Sequence, residues 1–304
     1  CKFTIFAFMK IITQEIFDAC FSEKKVRVFM RRLDLISSPI SGNKYFKLKQ
    51  NIEYALKSKF KSIITFGGAY SNHILATSII SKENSLNCVG FIRGEERLPL
   101  NPTLDDAVKN GMEIIYISRE EYKKINDKHY LNSLKVKYDN SYIIPEGGTN
   151  NLAIKGTELI INSDDKHEYI CCPIGTGGTI SGIINSSSHS QNIIGFSAIK
   201  GVKKLKDDIF LNVNKNNWEI YEDYCQGGYA KISKKLISFI YNFNKTKNIP
   251  LDGIYTGKMM MGIFDLIKKN KFPKKSKILI IHTGGIQGNR GINQRYNLNL
   301  PHNF

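Results

Sequence analysis

The chain has no run of about 18 apolar residues, so nothing in it could cross a bilayer as a helix. Its six cysteines (Cys1, Cys20, Cys88, Cys171, Cys172 and Cys225) form no Cys-x-x-Cys pair and have no histidine at a zinc-like spacing. That pattern argues against a metal centre and a disulfide scaffold, and it predicts a reducing, cytoplasmic setting. Cys171-Cys172 lies in an apolar, strand-like run and reads as a pair of small buried hydrophobes. Arginine is sparse, so most of the formal charge of +17 is lysine. Those lysines are scattered as pairs (Lys24-Lys25, Lys203-Lys204, Lys234-Lys235, Lys268-Lys269), with no recognition motif and no stacking-aromatic platform. Specific nucleic-acid binding is therefore not expected, although the charge favours anionic small molecules. The opening CKFTIFAFMKII lacks a small-residue cleavage site and is not read as a signal peptide. Residues 1–8, ahead of Met9, are expected to fold into nothing.

What is present is a rhythm. With 304 residues and 41% hydrophobic content, the chain can build one large or two modest domains. After a strand over Val26–Arg32, a loop over Leu33–Pro39 carrying Asp34, and a helix over Asn43–Lys59, short β-branched runs recur about every 25 residues. They fall at Ser62–Phe66, Cys88–Ile92, Glu113–Ile117, Tyr142–Ile144, Tyr169–Ile174 and Ile193–Ser197. Helix-length amphipathic stretches such as Ser71–Lys82 and Pro102–Asn110 lie between them. This alternation predicts a mostly parallel sheet with right-handed crossovers. Further on, helices are expected over Gln226–Phe243 and Lys258–Asn270, with a last buried strand over Lys277–Ile281. No Pro/Gly/Ser linker divides the chain, so a second domain would be inserted within the first.

Several junctions carry chemistry-bearing residues. YICCPIGTGGTISG (169–182) runs a buried strand into a glycine turn and then a helix, where converging amides and the helix start favour a phosphate. It lacks the Gly-Lys-Ser/Thr of a Walker loop. It also lacks the third glycine of a dinucleotide fingerprint, since Ile180 stands there, so a single phosphate monoester fits best. Lys44 follows the turn formers Ser41-Gly42-Asn43 at a helix head, where partial desolvation could leave a lysine amine reactive. Lys47 and Lys49 nearby read as surface residues. Ser71-Asn72-His73, after Gly67-Gly68, suits either a plain helix cap or a carboxylate cradle, and His73 reads as an interior histidine with no proton-transfer role. Tyr229 in QGGYAK and Tyr255 in LDGIYTG are candidate phenol acid/base groups. PEGGTN (145–150) adds polar groups at another strand end, where open parallel sheets gather ligands.

In this order and spacing, SGNKYFKLK, TFGGAYSNH, NPTLDDAVKNGM, IPEGGTN, PIGTGGT, YTGK and HTGG resemble the pyridoxal-phosphate-dependent family of 1-aminocyclopropane-1-carboxylate deaminases and D-cysteine desulfhydrases. The resemblance covers roughly residues 26–285. It implies a tryptophan-synthase-β-like α/β fold (fold type II): a large open parallel-sheet domain (1–46 and 150–304) binding the cofactor, and a smaller inserted α/β domain (47–149) holding the substrate carboxylate. It implies that Lys44 carries pyridoxal phosphate and moves the Cα proton, with Asn43 on the ring oxygen. Gly175, Thr176, Gly177, Gly178 and Thr179 would hold the phosphate. Ser71, with the backbone of Asn72 and His73, would hold the carboxylate, and Tyr229 and Tyr255 would stand beside the substrate. The deaminases have Glu and Leu where this chain has Thr256 and Thr283. That is the desulfhydrase pattern and implies a ring nitrogen left neutral. Phe46 stands where the family often has Arg. The expected reaction is α,β-elimination on a small D-amino acid, D-cysteine giving pyruvate, hydrogen sulfide and ammonia, by a cytoplasmic homodimer. Deamination of the cyclopropane acid, or a non-catalytic cofactor-binding homologue, is the alternative.

Overall fold

A computed structural model describes residues 11–36 and 40–302. Residues 1–8, expected to fold into nothing, lie outside the described residues. Ten strands appear among them: β1 (Ile12–Ile16), β2 (Arg27–Arg32), β3 (Ser62–Gly67), β4 (Asn87–Arg93), β5 (Met112–Ile117), β6 (Ser141–Ile144), β7 (Tyr169–Ile174), β8 (Asn192–Ser197), β9 (Trp218–Tyr221) and β10 (Lys277–His282). By their internal contacts the residues fall into two compact units. Among the described residues, one comprises 11–36, 41–43 and 157–302, and the other comprises Ile40 and 44–156.

The first unit is built on a six-stranded sheet in the order β1-β2-β10-β7-β8-β9. Only the β1–β2 pair is antiparallel, and every other pairing in it is parallel. The chain steps outward from β7 to β9 and then returns to lay β10 on the other side of β7, so the winding reverses between these two neighbours. Ligand sites of open α/β sheets form at such a reversal, beyond the carboxyl ends of the strands. The strands that flank it end in the Gly175 turn and the Thr283-Gly284 turn. The core packs Ile278 and Ile280 of β10 against Met259, Met260, Ile263 and Ile267 of the helix Thr256–Lys268 and Leu236, Ile240 and Phe243 of the helix Lys234–Lys247. Cys171 and Cys172 are fully buried in β7, as their apolar run predicts.

The second unit has a four-stranded, all-parallel sheet, β5-β4-β3-β6. β4 shows why it carries helices on both faces. Val89 and Phe91 enter one cluster with Ile64 and Phe66, while Cys88 and Ile92 enter another with Ile74 and Leu104. The period of two in side-chain direction makes both faces apolar. The Cys88 thiol is pushed up to about 12 by burial and is inert as a nucleophile.

The expected strands all form, displaced by a residue at most. Asp34 lies in a short 3-10 turn, Leu33–Leu35, rather than in an open loop. The helix expected from Gln226 begins only at Lys234, with Ser233 as its cap. Gly227 and Gly228, at φ +91° and +123°, hold the preceding residues in a left-handed turn that no helix can run through. No helix among the described residues is long and apolar enough to cross a membrane.

Candidate active site

In the first unit three of the sequence motifs meet at Asn43. The Gly42 amide donates to the Leu33 carbonyl at 2.9 Å, and the Asn43 amide donates to the Thr283 carbonyl at 3.0 Å. Gly42 takes φ +74°, and a Cβ there would lie 2.2 Å from the Thr283 carbonyl oxygen, so glycine alone permits this approach. The Asn43 side-chain amide donates to Thr179 Oγ1 at 2.8 Å. One residue thus ties the turn ahead of Lys44 to the ends of both strands that flank the reversal. Lys44 follows it in the first turn of the helix Asn43–Lys57.

A buried polar network lies behind this turn. Arg32 Nη2 is 2.6 Å from Asp34 Oδ2, and His282 Nδ1 is 3.2 Å from Asp34 Oδ1, with the Asp34 and His282 side chains fully buried. His282 Nε2 donates to the Pro250 carbonyl at 2.8 Å and its Nδ1 accepts from the Gly284 amide at 3.2 Å, so the residue preceding Thr283 is held on both ring nitrogens. Sequence reasoning noted Asp34 only as a loop residue. Its partners, Arg32 and His282, are 250 positions apart in the chain and nothing local pairs them.

The Gly175 turn opens the helix Gly178–Ser186. Its N-cap, Gly177 at φ +84°, offers no side chain to the first amides. The helices Asn72–Glu83, Pro102–Lys109 and Lys234–Lys247 instead use Ser71, Asn101 and Ser233 to accept from theirs. An uncapped start at a strand end, with glycine giving close backbone approach, is chemically suited to a phosphate. Thr176 is exposed and Thr179 buried there.

Tyr255 borders the same turn. A Cβ on Gly175 would lie 3.2 Å from the Tyr255 ring, and the Tyr229 ring centroid is 6.2 Å from that of Tyr255. Asp252 sets the Tyr255 backbone. Its Oδ2 accepts from the Ile254 and Tyr255 amides, each at 2.8 Å, and its Oδ1 from the Thr256 amide at 2.8 Å. The Thr256 hydroxyl donates to Asp252 Oδ1 at 2.6 Å and accepts from the Asp252 amide at 2.8 Å, so in the structure it closes a helix cap.

In the second unit, β3 turns into the helix Asn72–Glu83. A Cβ on Gly67 would fall 2.5 Å from Ile74 Cγ1, so the strand can turn here only through glycine. Ser71 Oγ accepts from the His73 amide at 3.2 Å and the Ile74 amide at 3.4 Å, which gives it the plain capping role. His73 is buried. Thr65 Oγ1 donates to the Ile144 carbonyl at 2.8 Å, so it receives the proton of His73 Nε2 at 2.7 Å. Burial first, and then the charges of Lys44 and Lys47, hold the His73 pKa well below its ordinary value. It is a neutral interior imidazole, as its sequence context predicts.

Lys47 corrects the sequence reading. It is 2% exposed, not a surface residue. Its ammonium donates to the Gly147 carbonyl and to Thr149 Oγ1, each at 2.8 Å, within the PEGGTN turn. Two oxygens brought in by a turn 100 residues away make the burial possible, and no window of sequence contains both partners. Lys49 is half-buried. Phe46 is buried too, edge-on to Tyr45 at 5.2 Å, so the aromatic that replaces the family's Arg is a packing residue.

Residues 18–284 match the family described as pyridoxal-phosphate dependent enzymes. This chain belongs to that family. A Thermotoga maritima protein provisionally named a 1-aminocyclopropane-1-carboxylate deaminase is 31% identical over 284 residues, 86% of this chain and 89% of that one. The mitochondrial bifunctional D-cysteine desulfhydrase/1-aminocyclopropane-1-carboxylate deaminase of Arabidopsis thaliana is 29% identical over 86% of this chain and 73% of its own. A solved structure of a 1-aminocyclopropane-1-carboxylate deaminase homologue superposes with a TM-score of 0.81 at 27% identity, over 94% of this chain and 92% of that one. Serine racemase of Dictyostelium discoideum, at TM-score 0.65 and 13% identity over 91% and 93% of the two chains, shares the fold. The protein is therefore a pyridoxal-phosphate-dependent enzyme of fold type II, in the lyase branch of deaminases and desulfhydrases. The donor set suits that cofactor: an uncapped glycine start for its phosphate, and a lysine next to Asn43, which is bonded to the same turn.

Proposed function

We propose that the protein catalyses α,β-elimination on a small D-amino acid, D-cysteine before others, giving pyruvate, hydrogen sulfide and ammonia. Pyridoxal phosphate, when bound, supplies an electron sink that weakens the Cα–H bond of an amino acid. The remaining work falls to this chain's own groups. Lys44 holds the cofactor and takes the Cα proton on its Nζ. Asn43 and Thr283 orient the cofactor, and the turn Gly175–Thr179 holds its phosphate. The helix start at Ser71, Asn72 and His73 orients the substrate carboxylate. Tyr255 and Tyr229 border the substrate, and Tyr255 supplies a phenol group for proton transfer to the leaving group.

The observation that carries the choice of substrate is Thr256. A fully buried hydroxyl, bonded to Asp252, stands where the deaminases of the resemblance carry a carboxylate. With Thr283 at the second discriminating position, neither residue can stabilise added positive charge on a bound ring. Loss of a thiolate after Cα deprotonation needs the milder electron sink, whereas opening a cyclopropane needs the stronger one. Free thiols at Cys20, Cys88, Cys171 and Cys225 support a reducing compartment such as the cytoplasm. A homodimer completes the proposal.

Purified enzyme given D-cysteine and 1-aminocyclopropane-1-carboxylate separately tests this reading. Sulfide and pyruvate are expected from the first, with little from the second. 2-Oxobutyrate without sulfide would reverse the assignment, and a bound cofactor whose spectrum no amino acid perturbs would support the non-catalytic alternative. Borohydride reduction followed by peptide mapping should label Lys44, and label on any other lysine would overturn the site.

A further inference from the structure

Tyr229 sits on an unusual piece of backbone. Gln226, Gly227, Gly228 and Ala230 all take positive φ (54°, 91°, 123° and 54°), and two of these residues carry side chains. Left-handed backbone is costly for a residue with a side chain, so the turn persists only where its surroundings impose it. The Gly228 amide donates to the Cys225 carbonyl at 3.0 Å, and the Lys231 amide donates to the Gly228 carbonyl at 3.2 Å. Ser233 Oγ donates to Gln226 Oε1 at 2.7 Å. Tyr229 at the tip is 41% exposed.

The anchor comes from beneath. Lys258 is 2% exposed, and its ammonium donates to the Gly228 carbonyl at 2.8 Å, 30 residues away in sequence. It sits in the first turn of the helix Thr256–Lys268, three residues after Tyr255, where Asp252 fixes the helix start. Both tyrosines are thus referred to one rigid point, Tyr255 directly and Tyr229 through Lys258 and the Gly228 carbonyl. Burial lowers the Lys258 pKa to about 8, against the opposing influence of Asp252 and Cys225. A buried ammonium under that penalty is a poor packing residue, and a methionine of similar length would fill the space at lower cost. Its distinctive contribution is the carbonyl it holds.

We propose that Lys258 is a positioning residue for Tyr229, clamping the strained Cys225–Lys231 turn through the Gly228 carbonyl so that the Tyr229 ring stays beside Tyr255 over the substrate position. The substrate part of this inference rests on the function proposed above, whereas the clamp does not. The holoenzyme and its Lys258→Met variant are compared by hydrogen exchange and by kinetics on D-cysteine. Loss of one hydrogen bond to a charged group should raise amide exchange in the 225–233 segment about tenfold while the helix Thr256–Lys268 stays protected. KM should rise about tenfold with kcat within about threefold, and in a Tyr229→Ala background the same substitution should leave KM unchanged. Unaltered exchange in the turn would overturn the proposal, as would a KM effect that persists undiminished without Tyr229. If Lys258→Met does not fold, Lys258→Gln is read by the same criteria. If no amino acid is turned over at all, exchange alone decides on the clamp and only the proposed reaction falls.

Discussion

Lys47 and Lys258 make the same gesture in different units of the chain. Each sits three residues after a residue of the candidate site, Lys44 or Tyr255. Each is 2% exposed and donates to the carbonyl of a glycine in a Gly-Gly turn. They differ in what surrounds the turn. The Lys47 ammonium meets two acceptors, and the neighbouring Gly148 packs on His73, which is itself buried and bonded to Thr65. The Lys258 ammonium has one acceptor, in a turn with an exposed tyrosine at its tip. The first arrangement is a core fixture whose loss should be felt as stability. The second is a hinge pin whose loss should be felt as substrate affinity. The same residue type in the same local pattern yields two roles because the number of buried acceptors differs.

Lys47→Met would test the first half of that contrast and should give the largest stability change. It leaves the Gly147 carbonyl and the Thr149 hydroxyl without their donor, and should cost about 2–4 kcal/mol in denaturant unfolding. A loss no greater than that of Lys258→Met would break the comparison. Gly148→Ala should cost less, about 1–2 kcal/mol, because φ is +70° and the new methyl would lie 3.1 Å from His73 Cε1, where a small shift relieves the contact. Lys258→Met should come lowest on the stability scale, about 1 kcal/mol or less, while moving KM the most.

The weakest effect is one of pH. The folded pKa of His73 lies below its unfolded value near 6.5, so below about pH 6.5 the unfolded chain binds a proton that the folded chain excludes. Stability should therefore rise with pH up to about 6.5 and then level off. His73→Gln should flatten that slope in thermal melts taken between about pH 5 and 7, whatever its effect on absolute stability. An unchanged slope would show that His73 is not the group responsible.

Much of this was legible in one dimension. The recurring β-branched runs predicted every strand from β2 to β8 and β10, because burial on both faces of a parallel sheet demands continuous apolar segments. Gly42 reads as a turn former and the 67–68 and 175–178 glycines as room for a ligand, and the structure sets protein atoms beside three of them: the Thr283 carbonyl at Gly42, Ile74 at Gly67 and the Tyr255 ring at Gly175. β1 and β9 escaped notice. β1 is an antiparallel edge strand, and β9 (Trp218–Tyr221) is a four-residue edge strand with no fully buried side chain, too weak to register as a buried run. A helix from Gln226 is expected because apolar residues recur at helical spacing through the segment, and the left-handed run at Gln226, Gly227, Gly228 and Ala230 interrupts it.

By itself, the sequence determined the α/β rhythm, the family, the cofactor and the glycine turns, since each depends on residues close together in the chain. Only the tertiary structure decided which polar side chains are buried and what they hold. Lys47 and Lys258 look like any other lysine of this lysine-rich chain until distant turns bring carbonyl oxygens to their ammonium groups. Asp34 becomes part of a network only when His282, from the far end of the chain, is laid beside it. The physical reason is that a charge can leave water only where partners converge in space, and that convergence is a property of the fold, not of any stretch of sequence.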